Sequence, residues 1–193
     1  MEPAYIYDAI RTPRGKAKPD GGLHDLSPFE LLAPLYTAIC ERTGLDAHLV
    51  GEVVLGCVTQ YGEQAGNIAK TSALYAGFPS QVSGLTITRF CSSGLDAINV
   101  AALKINAGQE QVALAGGIEM MSRIPMMSDQ AAIFADPKVA LSARILLMGS
   151  GADLIASLQG ASRAMVDEVA LLSQQRASHA TNAGFFKSII AID

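Results

Sequence analysis

The chain is poor in charge, in cysteine and in long apolar runs, and each shortage narrows what it can be. Only 17% of its 193 residues are charged, and the net charge is −4 with a pI near 5.3. No run of like charge exceeds two residues, so the basic face that nucleic acid or an anionic membrane requires is missing. No stretch approaches the roughly 20 apolar residues of a membrane helix. The N-terminus is acidic and broken by Pro3, which does not fit a signal peptide. There are three cysteines, Cys40, Cys57 and Cys91, far apart and odd in number, which points to a reducing compartment. No CxxC pair occurs and His24, His48 and His179 are isolated, so the residues predict no metal centre. Internal repeats and low-complexity segments are absent too. The expectation is a cytoplasmic protein.

What is present is a large apolar fraction, 50% of the residues, enough for a sizeable core. Tyr5–Ile10 reads as a first strand, followed by a basic Pro/Gly-rich loop. Ser27-Pro28-Phe29-Glu30 is a helix start with a capping box and proline in the first turn. Leu26 and Leu31 are placed as a staple, Leu31, Leu32, Leu35 and Ile39 as the buried face, Pro34 as a kink and Gly44 as the end. Glu52–Val58 is a near-continuous apolar run, as in a strand covered on both faces. A helix near Ile68–Ala76, a strand before Cys91, a helix after it and a strand at Val112–Ala115 follow. Alternation at this spacing predicts a doubly wound α/β sheet with right-handed crossovers. Its reactive site lies beyond the carboxyl ends of the strands.

In that frame the stretch Thr86–Ile98 stands out. An alternating segment runs into Cys91, small residues follow, and a helical pattern begins. A strand-to-helix turn there places the Cys91 sulfur at a helix N-terminus, one of the settings that bring cysteine pKa values from about 8.5 to roughly 3.5–7.5. A thiolate is what attacks a thioester or keto carbon. The alternative for any free cysteine is a small buried hydrophobe, and Cys57 (mid-strand) and Cys40 (near a helix end) are read that way. In the following helix Leu95, Ile98, Ala102 and Ile105 form one face and Ala97 and Ala101 another. Gly116-Gly117 either merely ends a strand or lets backbone approach an acyl group closely. Glu119 reads as a hydrogen-bonded structural acid, the Met120–Met127 cluster as adaptable packing, and His179 as a surface residue. A short helix to about Leu158 and a longer one capped by Ser162 and closed by Gly184 lead to a strand-like run, Phe185–Asp193. A chain that stops in such a run looks unfinished.

Taken together, Arg89-Phe90-Cys91-Ser92-Ser93-Gly94-Leu95-Asp96-Ala97-Ile98 and Ala115-Gly116-Gly117-Ile118-Glu119-Met120-Met121-Ser122 resemble the thiolase family. This family comprises the 3-ketoacyl-CoA thiolases and acetyl-CoA acetyltransferases. Ile10-Arg11-Thr12-Pro13, Met148-Gly149 and Ser173 to Gly184 fall in the family's order. The resemblance spans nearly all 193 residues yet only about the first half of a typical member. It implies a thiolase-like sheet with helices on both faces over 1–119, and part of an inserted helical loop domain over 120–193. It implies Cys91 as the catalytic nucleophile and Met148 as a substrate-binding residue lining the acyl-CoA channel. No cofactor is implied; coenzyme A is a co-substrate. The implied partners are acyl-CoA and CoA, with a homo-oligomer (dimer or tetramer) or a second chain that supplies the other half. Leu147 stands where many members have His, and Asp153 where Glu is common. The family's Asn-Glu-His-type, Gly-His-Pro and Cys-x-Gly-Gly-Gly motifs do not occur in these residues. The resemblance therefore implies a chain holding the nucleophile without its base. Two other readings remain open at this level: a non-catalytic half that binds acyl-CoA or a protein partner, and a ketosynthase or hydroxymethylglutaryl-CoA synthase relative.

Overall fold

The computed structural model describes residues 3–192; Met1, Glu2 and Asp193 lie outside the described residues. Two compact units are present, residues 1–129 together with 188–193, and residues 130–187. The first unit thus extends past 119, and the end of the chain returns to it.

In the first unit the order is α1 (Pro28–Thr43), β1 (Glu52–Gly56), α2 (Ile68–Tyr75), β2 (Ser83–Ile87), α3 (Ser93–Asn106) and β3 (Ala113–Gly117). The sheet is parallel, with spatial order β2-β1-β3. The run that reads as a strand covered on both faces is its centre, and all five residues of β1 are buried. The pleat sends Val53 and Leu55 to one face, where they join Leu32 and Tyr36 of α1 and Ile68, Ala69 and Ala73 of α2. Val54 points the other way, to Ala97 and Ala101 of α3. One strand with two apolar faces therefore holds helices on both sides, the layering predicted from its hydrophobic run.

Local chemistry explains the ends of α1. Ser27 Oγ accepts from the Glu30 N–H while the Glu30 carboxylate accepts from the Ser27 N–H at 2.7 Å, and Gly44 closes the helix at φ 69°. Its buried face is Pro28, Leu31, Leu32 and Tyr36; Leu35 and Ile39 are only half-buried. Tyr36 reaches across to Ser72 of α2 with a 2.9 Å hydrogen bond inside the core.

Two expectations are corrected. Tyr5–Ile10 forms no ladder, and Tyr5, Ile6 and Tyr7 are 68%, 76% and 88% exposed. Just beyond it, Arg11 makes a parallel bridge with Ile189. The terminal run Phe185–Asp193 is likewise no strand among its described residues. An apolar run becomes a strand only when another strand satisfies its N–H and C=O groups. Of the two faces of α3, the small residues Ala97 and Ala101 pack on the sheet, while Leu95 and Leu103 are 63% and 65% exposed. Close packing on the sheet selects the alanine stripe and leaves the bulkier stripe outside.

The second unit contains α4 (Ala132–Ala135), α5 (Pro137–Ser142), α6 (Met148–Leu158) and α7 (Arg163–Asn182). Ser162 caps α7, its hydroxyl accepting from the Met165 N–H, and Gly184 follows at φ 68°. The two short helices are too brief for a periodic signal, although Asp136 caps α5 by accepting from the Lys138 N–H at 2.8 Å. Among the described residues no helix is long and apolar enough to cross a membrane.

Candidate active site at the end of the second strand

Cys91 lies in a tight turn between β2 and α3. Ser92 is the N-cap of α3, so the cysteine immediately precedes the cap, as the sequence predicts. The turn is made by backbone and one buried hydroxyl. Ser92 N–H donates to Arg89 O at 3.1 Å and Ser93 N–H to Phe90 O at 3.0 Å. Ser93 is 4% exposed; its Oγ accepts from the Arg89 N–H at 2.8 Å and donates to Phe90 O at 2.6 Å. Phe90 takes φ 49°, the left-handed region that a bulky L-residue rarely enters. Such an outlier persists only where its surroundings over-determine it. Here the Ser93 hydroxyl and two backbone bonds hold it, and the chain doubles back so that Cys91 is presented outward. Arg89 also pairs with Asp96 in the first turn of α3, Nε to Oδ2 at 2.8 Å.

Of the three cysteines, Cys91 is the exposed one. Cys57 is 1% exposed, and burial, with the nearby Glu119 charge adding to it, pushes its thiol up to about 12. Burial, then the charges of Asp46 and Glu41, raise the Cys40 thiol as well. Cys57 is a core thiol and Cys40 a half-buried one at the edge of that core, and the same effect favours the protonated form of each.

The loops that leave β1 and β3 are tied together beside this turn. Glu119 accepts from the Val58 N–H at 2.8 Å and the Thr59 N–H at 3.3 Å. Its Oε1 also accepts from Gln64 Nε2 at 2.9 Å. Gln64, fully buried, donates to Thr59 O at 2.9 Å and accepts from the Met120 N–H at 2.6 Å. Glu119 is thus a structural acid that closes the gap between two strand ends. Sequence reading identified that role but not Gln64, whose only signal was a polar residue in a loop.

The chain crosses from β1 to β2 through α2 and from β2 to β3 through α3, on opposite faces of the sheet. The carboxyl ends of adjacent strands whose connections diverge form the crevice in which such sheets bind ligands. Gly56 and Gly117, paired in register, are the last residues of those two strands, and α3 begins above them. Gly117 turns toward Gly56 O and the Gly94 Cα, whereas Gly116 turns the other way, toward Leu55. The doublet therefore does more than end a strand: one of its members seats the helix. Its approach to an acyl group remains a matter of function.

Met148 is placed in the second unit, as the first residue of α6, and is 70% exposed. A cavity of about 400 Å³ lies in the first unit. It is lined by His24, Tyr61, Glu63, Arg123 and Ser128 among others and does not include Cys91.

Comparison with known proteins places this geometry. The model of the thiolase N-terminal domain matches residues 4–193. The chain is 38% identical over 201 residues to a 3-oxoadipyl-CoA/3-oxo-5,6-dehydrosuberyl-CoA thiolase of Escherichia coli K12, covering 95% of this chain and 50% of that protein. It is 37% identical over 195 residues to a 3-ketoacyl-CoA thiolase of Serratia proteamaculans, covering 98% and 49%. The Bacillus anthracis acetyl-CoA acetyltransferase superposes with a TM-score of 0.83 at 34% identity, over 97% of this chain and 50% of that one. The chain spans about half the length of the relatives it matches. With its fold, its cysteine turn and a family match over nearly its whole length, the chain belongs to the thiolase family and has the fold of that family's N-terminal domain.

Proposed function

We propose that this chain carries the nucleophile of a thiolase-type acyltransferase that cleaves 3-ketoacyl-CoA to acetyl-CoA and a shortened acyl-CoA, or condenses acetyl-CoA in reverse. The observation that carries this reading is the exposed Cys91 at the start of α3, held by the Phe90 and Ser93 turn at the carboxyl end of the sheet. The Cys91 thiolate attacks the 3-keto carbon, the Cα–Cβ bond breaks, and the acetyl-CoA carbanion takes a proton. The acyl-Cys91 thioester is then attacked by the thiol of a second CoA, which restores Cys91. Two covalent half-reactions give ping-pong kinetics. The Cys91 N–H serves as one donor to the oxyanion, a kind of contact whose loss costs on the order of 10²–10³ in rate.

The 193 residues hold no Gly-His-Pro or Cys-x-Gly-Gly-Gly motif, so the base and the proton donor come from a second half, in an oligomeric, cytoplasmic enzyme. Met148 is assigned to the acyl-CoA channel. The test is treatment with an electrophilic acyl-CoA analogue, haloacetyl-CoA, followed by mapping of the adduct. Modification of Cys91, lost in Cys91→Ala, is expected; a principal adduct at Cys40, Cys57 or a lysine would overturn the reading.

A further inference from the structure

We infer that Gly56, the last residue of β1, is a positioning residue for the nucleophile. The inference rests on the thiolase reading for its meaning, though not for its geometry. Gly56 shares the face of β1 that carries Val54 toward α3. A Cβ at Gly56 would meet the Ser93 carbonyl carbon, and would lie 2.6 Å from both Ser93 O and Gly94 N. These are backbone atoms of the first turn of α3, and they cannot swing aside as a side chain can. The helix start rests directly on the Gly56 backbone, and Ser93, the residue in contact, is the one whose Oγ holds Arg89 and Phe90 in the turn. Gly117 backs the same seat from β3, its Cβ position 3.0 Å from Gly56 O and 3.7 Å from the Gly94 Cα. A side chain at 56 lifts α3 from the sheet and carries Cys91 away from its place over the strand ends. A glycine inside an otherwise apolar strand is the sequence mark of such a close backbone approach.

The chain contains its own control. Gly84 of β2 faces the other layer, where a Cβ would meet the Lys70 backbone N and lie 2.6 Å from Lys70 Cβ in α2. Both glycines seat a helix; only one of those helices begins at the nucleophile. The experiment compares Gly56→Ala and Gly84→Ala in the 193-residue chain, reading the rate of Cys91 alkylation by iodoacetamide at neutral pH and the amide resonances of Ser92–Leu95. Buried Cys57 reports unfolding, since it alkylates only when the sheet opens. Gly56→Ala is expected to change the rate of Cys91 alkylation, because the turn that presents the thiol shifts with the helix start it rests on. It should also displace those resonances while Cys57 stays protected, and Gly84→Ala should leave both readouts at Cys91 unchanged. An unchanged Cys91 in Gly56→Ala, or an equal change in both variants, overturns the inference. If Gly56→Ala exposes Cys57, the milder Gly117→Ala decides: a smaller change of the same sign supports the seat, and none refutes it. Alkylation needs no acyl transfer, so a failed haloacetyl-CoA reaction in a chain that passes this test sinks the functional reading alone.

Discussion

At the scale of single residues, burial decides which cysteine is open to solvent. Cys57 is followed by loop residues whose N–H groups Glu119 holds, and its thiol is pushed up to about 12. A thiol raised by folding favours the folded state fully below its ordinary value near 9, and that contribution is lost as pH rises from there toward 12. One pKa unit corresponds to about 1.4 kcal/mol. Urea titrations from pH 8 to 11 are expected to show a falling stability, and Cys57→Ala is expected to flatten that slope. An identical slope in the variant would remove Cys57 as the cause. Glu119 is the second residue whose change should be costly. Glu119→Ala leaves the Val58 and Thr59 N–H groups and Gln64 without their acceptor, at about 1–3 kcal/mol by the usual penalty for buried unsatisfied groups; chemical denaturation measures it.

At the scale of elements, the ends of helices and strands carry the specificity. Ser27→Ala removes one half of the capping box and is expected to cost about 0.5–2 kcal/mol, readable as a lowered melting temperature. The glycine pair at the end of β3 separates two roles. The space around Gly116 admits a methyl group, its nearest neighbour being Leu55 Cδ2 at 3.9 Å, while Gly117 faces backbone at 3.0 Å. Gly116→Ala should therefore melt close to the parent, and Gly117→Ala distinctly lower; equal melting temperatures would contradict the orientation of the doublet. The capping box, Gly44, Ser162 and the β1 run were legible in the sequence because their causes are local. Which face of α3 packs on the sheet was not. Leu95 and Ile98 outrank alanine on any hydrophobic scale, and only the closeness of the sheet explains why the alanines are inside.

At the scale of the whole molecule, the first unit has a core on both faces of β1, whereas no described residue between 130 and 187 is buried. Leu147, Leu154, Ile155 and Leu158 are each at least half exposed. Apolar side chains exposed in this number favour association, and under the proposed function sedimentation of the purified chain is expected to show a dimer or larger. The same purified, mass-verified chain is expected to give no measurable thiolysis of a 3-ketoacyl-CoA, because its 193 residues hold the proposed nucleophile without the base motifs. Turnover by the chain alone would refute this. Native mass analysis in the presence of a polypeptide carrying the missing motifs then separates a half that assembles into an enzyme from one that only binds.

By itself the sequence determined the alternation of strands and helices, the helix caps, and the place of Cys91 at a strand-to-helix turn. Each of these follows from side-chain period and local hydrogen bonding along a few residues. Tertiary structure alone decided that Tyr5–Ile10 forms no ladder, since a strand exists only with its partner. It also decided that Cys57 is inert while Cys91 is open, since burial is a property of what packs around a residue. The left-handed Phe90 and the seat under α3 belong to the same class. They arise where backbone from β1, β3 and α3 converges, and no single segment of the chain contains that meeting.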